Sequence, residues 1–191
     1  MRLEIAPLPL ILVAMTPQEI VQIVQAQFPN AVLAAFPADK HPRIELEAST
    51  WAEIASFMVR DSRLKFDWLA SLTGVDYVAL GKMAVIYDLF SLDLKHTFAV
   101  KVFCPREKPD MPSLCNLWSA ANWHEREAFD LLGIIFQGHP NLTRILCAED
   151  WVGYPLRKDY VFPKEYHDIP ADPGMPWDPA TIAKPAVAAK L

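Results

Sequence analysis

His124-Glu125-Arg126-Glu127 opens the stretch of this chain best supplied with groups that do chemistry, and Asp130 follows within one helical turn. The run looks like the helix of a zinc peptidase, where two His four residues apart hold the metal and a Glu acts as base. Position 128 is Ala128, so the second His is missing. His124 and Glu127 stand at a spacing that can share a cation, yet no third ligand is evident nearby. A lone His within an apolar stripe is more often a hydrogen-bonded core residue, and no metal site is expected here. The carboxylates Glu125, Glu127 and Asp130 lack a neighbouring nucleophile or cofactor motif, so salt bridging is their expected role. Arg126 and Asp130 can meet at i,i+4, with Arg first, the weaker orientation. A small hydrolase using His124, Glu125 and Glu127 stays open as a rival, which stoichiometric zinc or manganese in the purified chain would support.

Cys104, Cys115 and Cys147 are odd in number and widely spaced, without a C-x-x-C pair. They form neither a disulfide framework nor a zinc or iron–sulfur ligand set by spacing, and read as small buried hydrophobes. No Gly-rich nucleotide loop is present. A net charge of -5 and the lack of any Lys/Arg run exclude a protein whose main task is holding nucleic acid. Arg157-Lys158 remains a local docking point for acidic groups.

The elements that must position these residues read as α+β. With 52% hydrophobic and 21% charged residues, the 191-residue chain has enough apolar mass for one domain. Six Trp hint at surface buried against something else. The apolar run Leu8–Met15, broken by Pro9, is too short for a membrane span, so residues 1–15 read as a leader and any membrane link as indirect. Thr16-Pro17-Gln18-Glu19 is a helix start with a capping box, and Ile20, Val21, Ile23, Val24 and Phe28 follow at helical spacing. Strands are expected at Ala31–Phe36, Arg43–Glu47, Val75–Leu80, Ala84–Leu92 and His96–Cys104. Gly81-Lys82 suits a hairpin turn, and Gly74 marks a break. Between the second and third strands, Ser49 or Thr50 caps a helix carrying Trp51, Ile54, Ala55, Met58 and Val59. The alternation of Phe98, Val100, Val102 and Phe103 is imperfect, which points to a bulge or to burial on both faces. The expected architecture is a two-layer domain over residues 16–160, a mixed β-sheet packed by helices, followed by an extended Pro-rich tail over 161–191.

Ser113 to about Ile134 reads as one helix. Leu117, Ala120, Ala121, Ala128, Leu131, Leu132 and Ile135 form its core stripe. Trp118, Trp123 and Phe129 lie opposite, with Arg126 and Asp130 among them, and suit a surface covered by a partner or by the tail.

From Trp123 to Tyr160 the sequence resembles one subunit family of proton-pumping NADH:quinone oxidoreductase (respiratory complex I). It is the family of the bacterial C subunit, known in mitochondria as the 30-kilodalton subunit. The resemblance rests on Glu125-Arg126-Glu127, Asp130, Leu131-Leu132, His139 and Arg144-Ile145-Leu146. It continues in Gly153 to Tyr160, with Pro155, Leu156, Arg157, Lys158, Asp159 and Tyr160 in the family's order. Thr143 departs from the family's usual basic residue and loses one charge there; His124 departs from a common aromatic.

The resemblance implies a chain without catalytic residues or cofactor of its own. FMN and iron–sulfur clusters would sit in partner subunits, with NADH and quinone as substrates of the complex. It implies packing in the peripheral arm, chiefly on the D-type, quinone-site subunit and on neighbouring iron–sulfur subunits. The contacts would come from the motif residues and the aromatics Trp118, Trp123 and Phe129. The tail would dock along a partner. The lack of an Arg/Ser-rich presequence suggests a bacterial protein, peripheral on the cytoplasmic side of the inner membrane. The corresponding subunit of a membrane-bound hydrogenase, or of another quinone-reducing complex, remains the near alternative. An adaptor unrelated to respiration is the distant one.

Overall fold

The computed structural model describes residues 14–170. Helix α1, Pro17–Gln27, starts as the residues require. The Thr16 side chain accepts from the Glu19 N–H, and Glu19 Oε2 accepts from the Thr16 N–H at 2.8 Å. Ile20, Val21 and Val24 are its buried side. Strands β1 (Val32–Phe36) and β2 (Arg43–Glu47) pair antiparallel.

β2 runs without a loop into helix α2, Ala48–Arg60, which buries Trp51, Ile54, Ala55 and Met58. The last strand residue, Glu47, therefore occupies the N-cap position. The caps expected at Ser49 or Thr50 lie inside the helix, where Thr50 Oγ1 donates to the Glu47 carbonyl at 3.1 Å.

Strands β3 (Trp68–Tyr77), β4 (Lys82–Phe90) and β5 (Thr97–Pro105) complete a five-stranded sheet of order β1-β2-β5-β4-β3. β2 and β5 are parallel and the other neighbours antiparallel, so the sheet is mixed, as expected. Ile44, Leu46, Tyr87, Val85, Val100 and Val102 join Ile20, Val24, Trp51, Ile54 and Met58 in one core. Lys101 and Arg43 reach Glu45 at 3.4 and 3.7 Å. These polar residues alternate with the core-facing ones, which makes a layer of helices on a layer of strands. β5 pairs β4 without a register shift, and residues of both parities along it are buried. Its irregular pattern therefore reflects a central strand covered on both faces, not a bulge. The register shifts lie instead in β1 and β3.

The sequence pattern predicts the third strand at Val75–Leu80 and a break at Gly74. The strand instead passes through Gly74, and Val78–Leu80 is a single 3-10 turn ahead of Gly81. The cause is packing. A Cβ at Gly74 would clash with Leu132 Cδ1 and meet Ile134 Cδ1 at 3.3 Å. Glycine is there to let the next helix approach the sheet.

That helix, α3, spans Ala121–Leu132, not Ser113–Ile134. It follows β6 (Asp110–Pro112), which pairs in parallel with β7 (Ile135–Gln137). Residues 113–120 turn instead of coiling, because Glu125 captures the Leu114 N–H at 2.7 Å and Trp118 Nε1 donates to the Phe66 carbonyl at 2.9 Å. Trp118 is buried in the core against Trp51. It is thus removed from the aromatic surface to which a helical projection assigns it.

The chain divides between Tyr160 and Val161. In the second unit Glu165–Tyr166 and Ile169–Pro170 pair as a small hairpin, β8 and β9, around positive φ at His167 and Asp168. The described start of the expected extended tail thus contains a turn. Its remainder, with Trp177 and Pro179, and leader residues 1–13 lie outside the described residues.

Gly74→Val tests the close approach. Strand propensity alone favours Val, but overpacking against buried Leu132 costs about 1–3 kcal/mol and should win. The urea midpoint is expected to fall with an unchanged slope; a higher midpoint would mean that Leu132 moves aside freely.

Candidate functional site

α3 and the two segments after it hold every motif residue, and buried carboxylates organise them. Asp130 is fully buried. Its Oδ2 accepts from the consecutive N–H groups of Ile145, Leu146 and Cys147 at 2.9, 2.6 and 2.9 Å. Its Oδ1 accepts from Arg144 Nη1 at 2.8 Å. Burial alone would raise this carboxyl's pKa. The three amides and the guanidinium outweigh it and hold the group at about 2. Residues 143–147 have no helix or strand to satisfy their backbone, so Asp130 is what fixes them.

Arg126 works on the same segment. Its Nε and Nη2 donate to the Thr143 carbonyl and hydroxyl at 3.1 and 3.0 Å, and Nη2 reaches the Arg144 carbonyl at 3.4 Å. The i,i+4 pair expected between Arg126 and Asp130 is therefore not made. Both side chains leave the helix for the same loop, where bare amides and carbonyls are better partners than a solvated ion pair.

Arg144 carries the constraint onward. It also donates to the Asp130 carbonyl at 3.1 Å and to the Gly153 carbonyl at 3.0 Å. Its guanidinium lies 5.5 Å from the Tyr154 ring, and that of Arg157 lies 4.8 Å from the same ring. Arg157 Nε donates to the Leu132 carbonyl at 2.7 Å, at the helix C-terminus where a cation is favoured. Gly133 ends α3 at φ 74, and a Cβ there would lie 2.5 Å from Tyr154, so it needs glycine on both counts.

A second buried acid anchors the end of the motif. Asp76, on β3, accepts two bonds from Arg106 at 2.8 and 3.1 Å and one from the Lys158 N–H at 2.9 Å. The Arg106 guanidinium is the main cause of its lowered pKa. Arg106 also holds Asp159 at 2.6 Å. Leu156 N–H donates to the Leu131 carbonyl at 3.0 Å, and Tyr160 OH to the Val152 carbonyl at 3.3 Å. Sequence reasoning missed Asp76 and Arg106. They stand outside the motif, and only an acid in a strand otherwise poor in charge hinted at them.

Glu125, also fully buried, fixes the approach to α3. Besides Leu114 it receives the Cys115 thiol at 3.4 Å. Burial raises its pKa against those hydrogen bonds, and burial likewise pushes the Cys115 thiol up to about 11. His139 stands between the Asn122 carbonyl, 3.1 Å from Nε2, and the Asn141 N–H, 3.0 Å from Nδ1. Glu127 is exposed and His124 half-buried; neither joins a metal-like grouping among the described residues. Of the aromatics, Phe129 is half-buried and Trp123 is 63% exposed, with the Arg126 guanidinium 4.8 Å from its ring. Leu146, on the loop Asp130 ties down, is also 63% exposed, and Leu156 and Val152 are exposed nearby in sequence. Pro155 is half-buried.

The arrangement centres on three buried carboxylates, Asp76, Glu125 and Asp130. Its hydrogen bonds hold irregular backbone still. A chain of an archaeal membrane-bound sulfane sulfur reductase, a respiratory membrane complex, shares the fold with a TM-score of 0.65, 23% identity, and coverage of 77% of this chain and 86% of that one. The trypsin-resistant fragment of Nqo5 matches with a TM-score of 0.53 and 28% identity, over 67% of this chain and all of the fragment. The class of protein is thus an α+β domain of the fold seen in Nqo5. Residues 44–166 match the model of the respiratory-chain NADH dehydrogenase 30 Kd subunit, and the chain belongs to that family. The C subunit of NADH-quinone oxidoreductase from Chlorobium phaeobacteroides is 46% identical over 77% of this chain and 90% of its own length. That of Chloroherpeton thalassium is 52% identical over 62% of this chain, and the match spans half of the relative's length.

Asp130 gives a pH signature. Its folded pKa lies below the ordinary 3.8, so its contribution is complete above that value and is lost as the pH falls toward 2. The stake is roughly 2 kcal/mol. Asp130→Asn is expected to flatten the stability–pH curve between pH 4 and 2. It should also cost about 3–5 kcal/mol at neutral pH, since Arg144 is left facing a neutral group. Limited trypsin digestion should then cut after Arg144, where the parent chain is expected to resist; equal cleavage of both would show that the loop is held by something else.

Proposed function

We propose that this chain is a non-catalytic peripheral-arm subunit of NADH:quinone oxidoreductase. In this reading it helps to hold the electron path from NADH through FMN and iron–sulfur clusters to quinone, all of them borne by partners. The reading extends to its neighbours: chiefly the quinone-site subunit, then adjoining iron–sulfur subunits, on the cytoplasmic side of a bacterial inner membrane. Among the described residues no helix is long and apolar enough to cross a membrane, so attachment would be through partners. Near-full-length similarity to a protein named for NADH and quinone favours this complex over a hydrogenase-type relative.

One observation carries the reading. Trp123 and Leu146 are large, apolar and mostly exposed, and Arg126 lies between the Trp123 ring and the loop bearing Leu146. A tryptophan and an arginine stacked on a rigid support are of the residue types enriched in binding hot spots, and Leu146 adds exposed apolar surface on the loop that Arg126 holds. Motif residues Asp130, Arg144 and Arg157 act in this reading from behind, by shaping the surface.

The double variant Trp123→Asp, Leu146→Asp tests it. Both sites are exposed, so the isolated chain should keep its stability within about 0.5 kcal/mol. The amount of assembled complex on a native gel is expected to fall several-fold, with NADH:quinone turnover per bound flavin unchanged. Full assembly, or normal assembly with slow turnover, would overturn the proposal.

A further inference from the structure

Cys115, Glu125 and His139 are distant in sequence, and the turn before α3 and the loop after β7 bring them together. One ligand atom from each lies within 4.8 Å of the others. Neighbouring ligands around a tetrahedral cation, with bonds of about 2.0–2.3 Å, stand roughly 3.5 Å apart, so small side-chain movements close the set. We propose that these three residues form a binding site for one divalent transition-metal cation, zinc by its ligand types.

Three features beyond proximity support this. Glu125 is fully buried and has no ion pair among the described residues, a costly state for a carboxylate. A divalent cation bound by one thiolate, one carboxylate and a neutral imidazole makes a cluster of zero net charge, which removes that cost. The donors are also oriented already. Leu114 N–H holds Oε1 of Glu125 at 2.7 Å and leaves Oε2 beside the Cys115 sulfur. His139 is gripped by a backbone group at each ring nitrogen. The cation takes one nitrogen, and the other bond keeps the ring aimed, as outer partners of metal-bound imidazoles do. Finally, a cleft of about 450 Å³ lined by Ser113, Cys115, Asn116, Gly138 and Pro140 opens onto the thiol. It provides an entry path and room for water as the fourth ligand. The sulfur ligand selects zinc over magnesium or calcium. The site concerns the folded chain alone, and its test needs no partner protein.

The full chain, purified and stripped with a chelator, is titrated with cobalt(II) as an optical stand-in for zinc. One equivalent is expected to raise a thiolate-to-cobalt charge-transfer band with d–d bands of tetrahedral intensity, both erased by one equivalent of zinc. Cys115→Ser should abolish the charge-transfer band. Cys115→Ser and His139→Gln should each weaken zinc binding at least about tenfold. Cys147→Ser should change neither. The parent titration stands even where a variant misfolds. A folded parent chain that develops no thiolate band overturns the site, and so does a band that survives Cys115→Ser or disappears with Cys147→Ser.

Discussion

The loop of residues 143–147 depends on one buried carboxylate. Three successive amides and a guanidinium converge on Asp130, and the stretch they come from has no regular structure to satisfy it. An acid buried without such partners would cost several kcal/mol or take up a proton; here the four donors reverse the balance. The same bonds place Arg144, which places Gly153 and Tyr154, whose ring covers Gly133 at the end of the helix. The constraint therefore runs in a closed path from α3 through the loop and back to α3. No member of the path can move alone.

The same device recurs twice. Glu125 ties the turn before α3 to the helix, and Asp76 ties the last motif residues to the sheet. Each acid sits on a regular element and receives backbone N–H groups from an irregular one. A strand or helix has its own backbone bonds closed already, so it can spare a side chain for a loop. In the proposed role, a surface already rigid would lose little conformational freedom on binding, and the free energy of burying Trp123 and Leu146 would go into association.

Much of this was legible from residue types. The capping box at Thr16, the apolar spacing of α1 and α2 and the alternation of β2 identified their elements because each buries one face against one core; β4 and β5 showed as apolar runs, β5 being buried on both faces. Where sequence and structure part, a contact remote in sequence overrules a local rule. Residues 113–120 have helical composition, yet the Glu125 carboxylate and the Phe66 carbonyl draw them into turns and bring Trp118 inside. Gly74 reads as a break until Leu132 is packed on it. The partnerships of Asp76 with Arg106 and Lys158 leave no periodic trace, since a buried hub of charge depends on where three separate segments meet.

These hubs also change what the family motif means. Glu125, Arg126, Asp130, Arg144 and Arg157 are polar enough to suggest an interface, yet each spends its hydrogen bonds within the chain. A charged residue that satisfies its own backbone has little left for a partner, and removing it would unsettle the fold before any contact. These five residues thus hold the domain's loops, while Glu127, Leu156 and Lys158 of the same motif lie exposed. In the proposed role, the side chains those loops present outward would distinguish one partner from another. Shape and apolar area can vary there without disturbing the frame, because the frame is closed by charges beneath it.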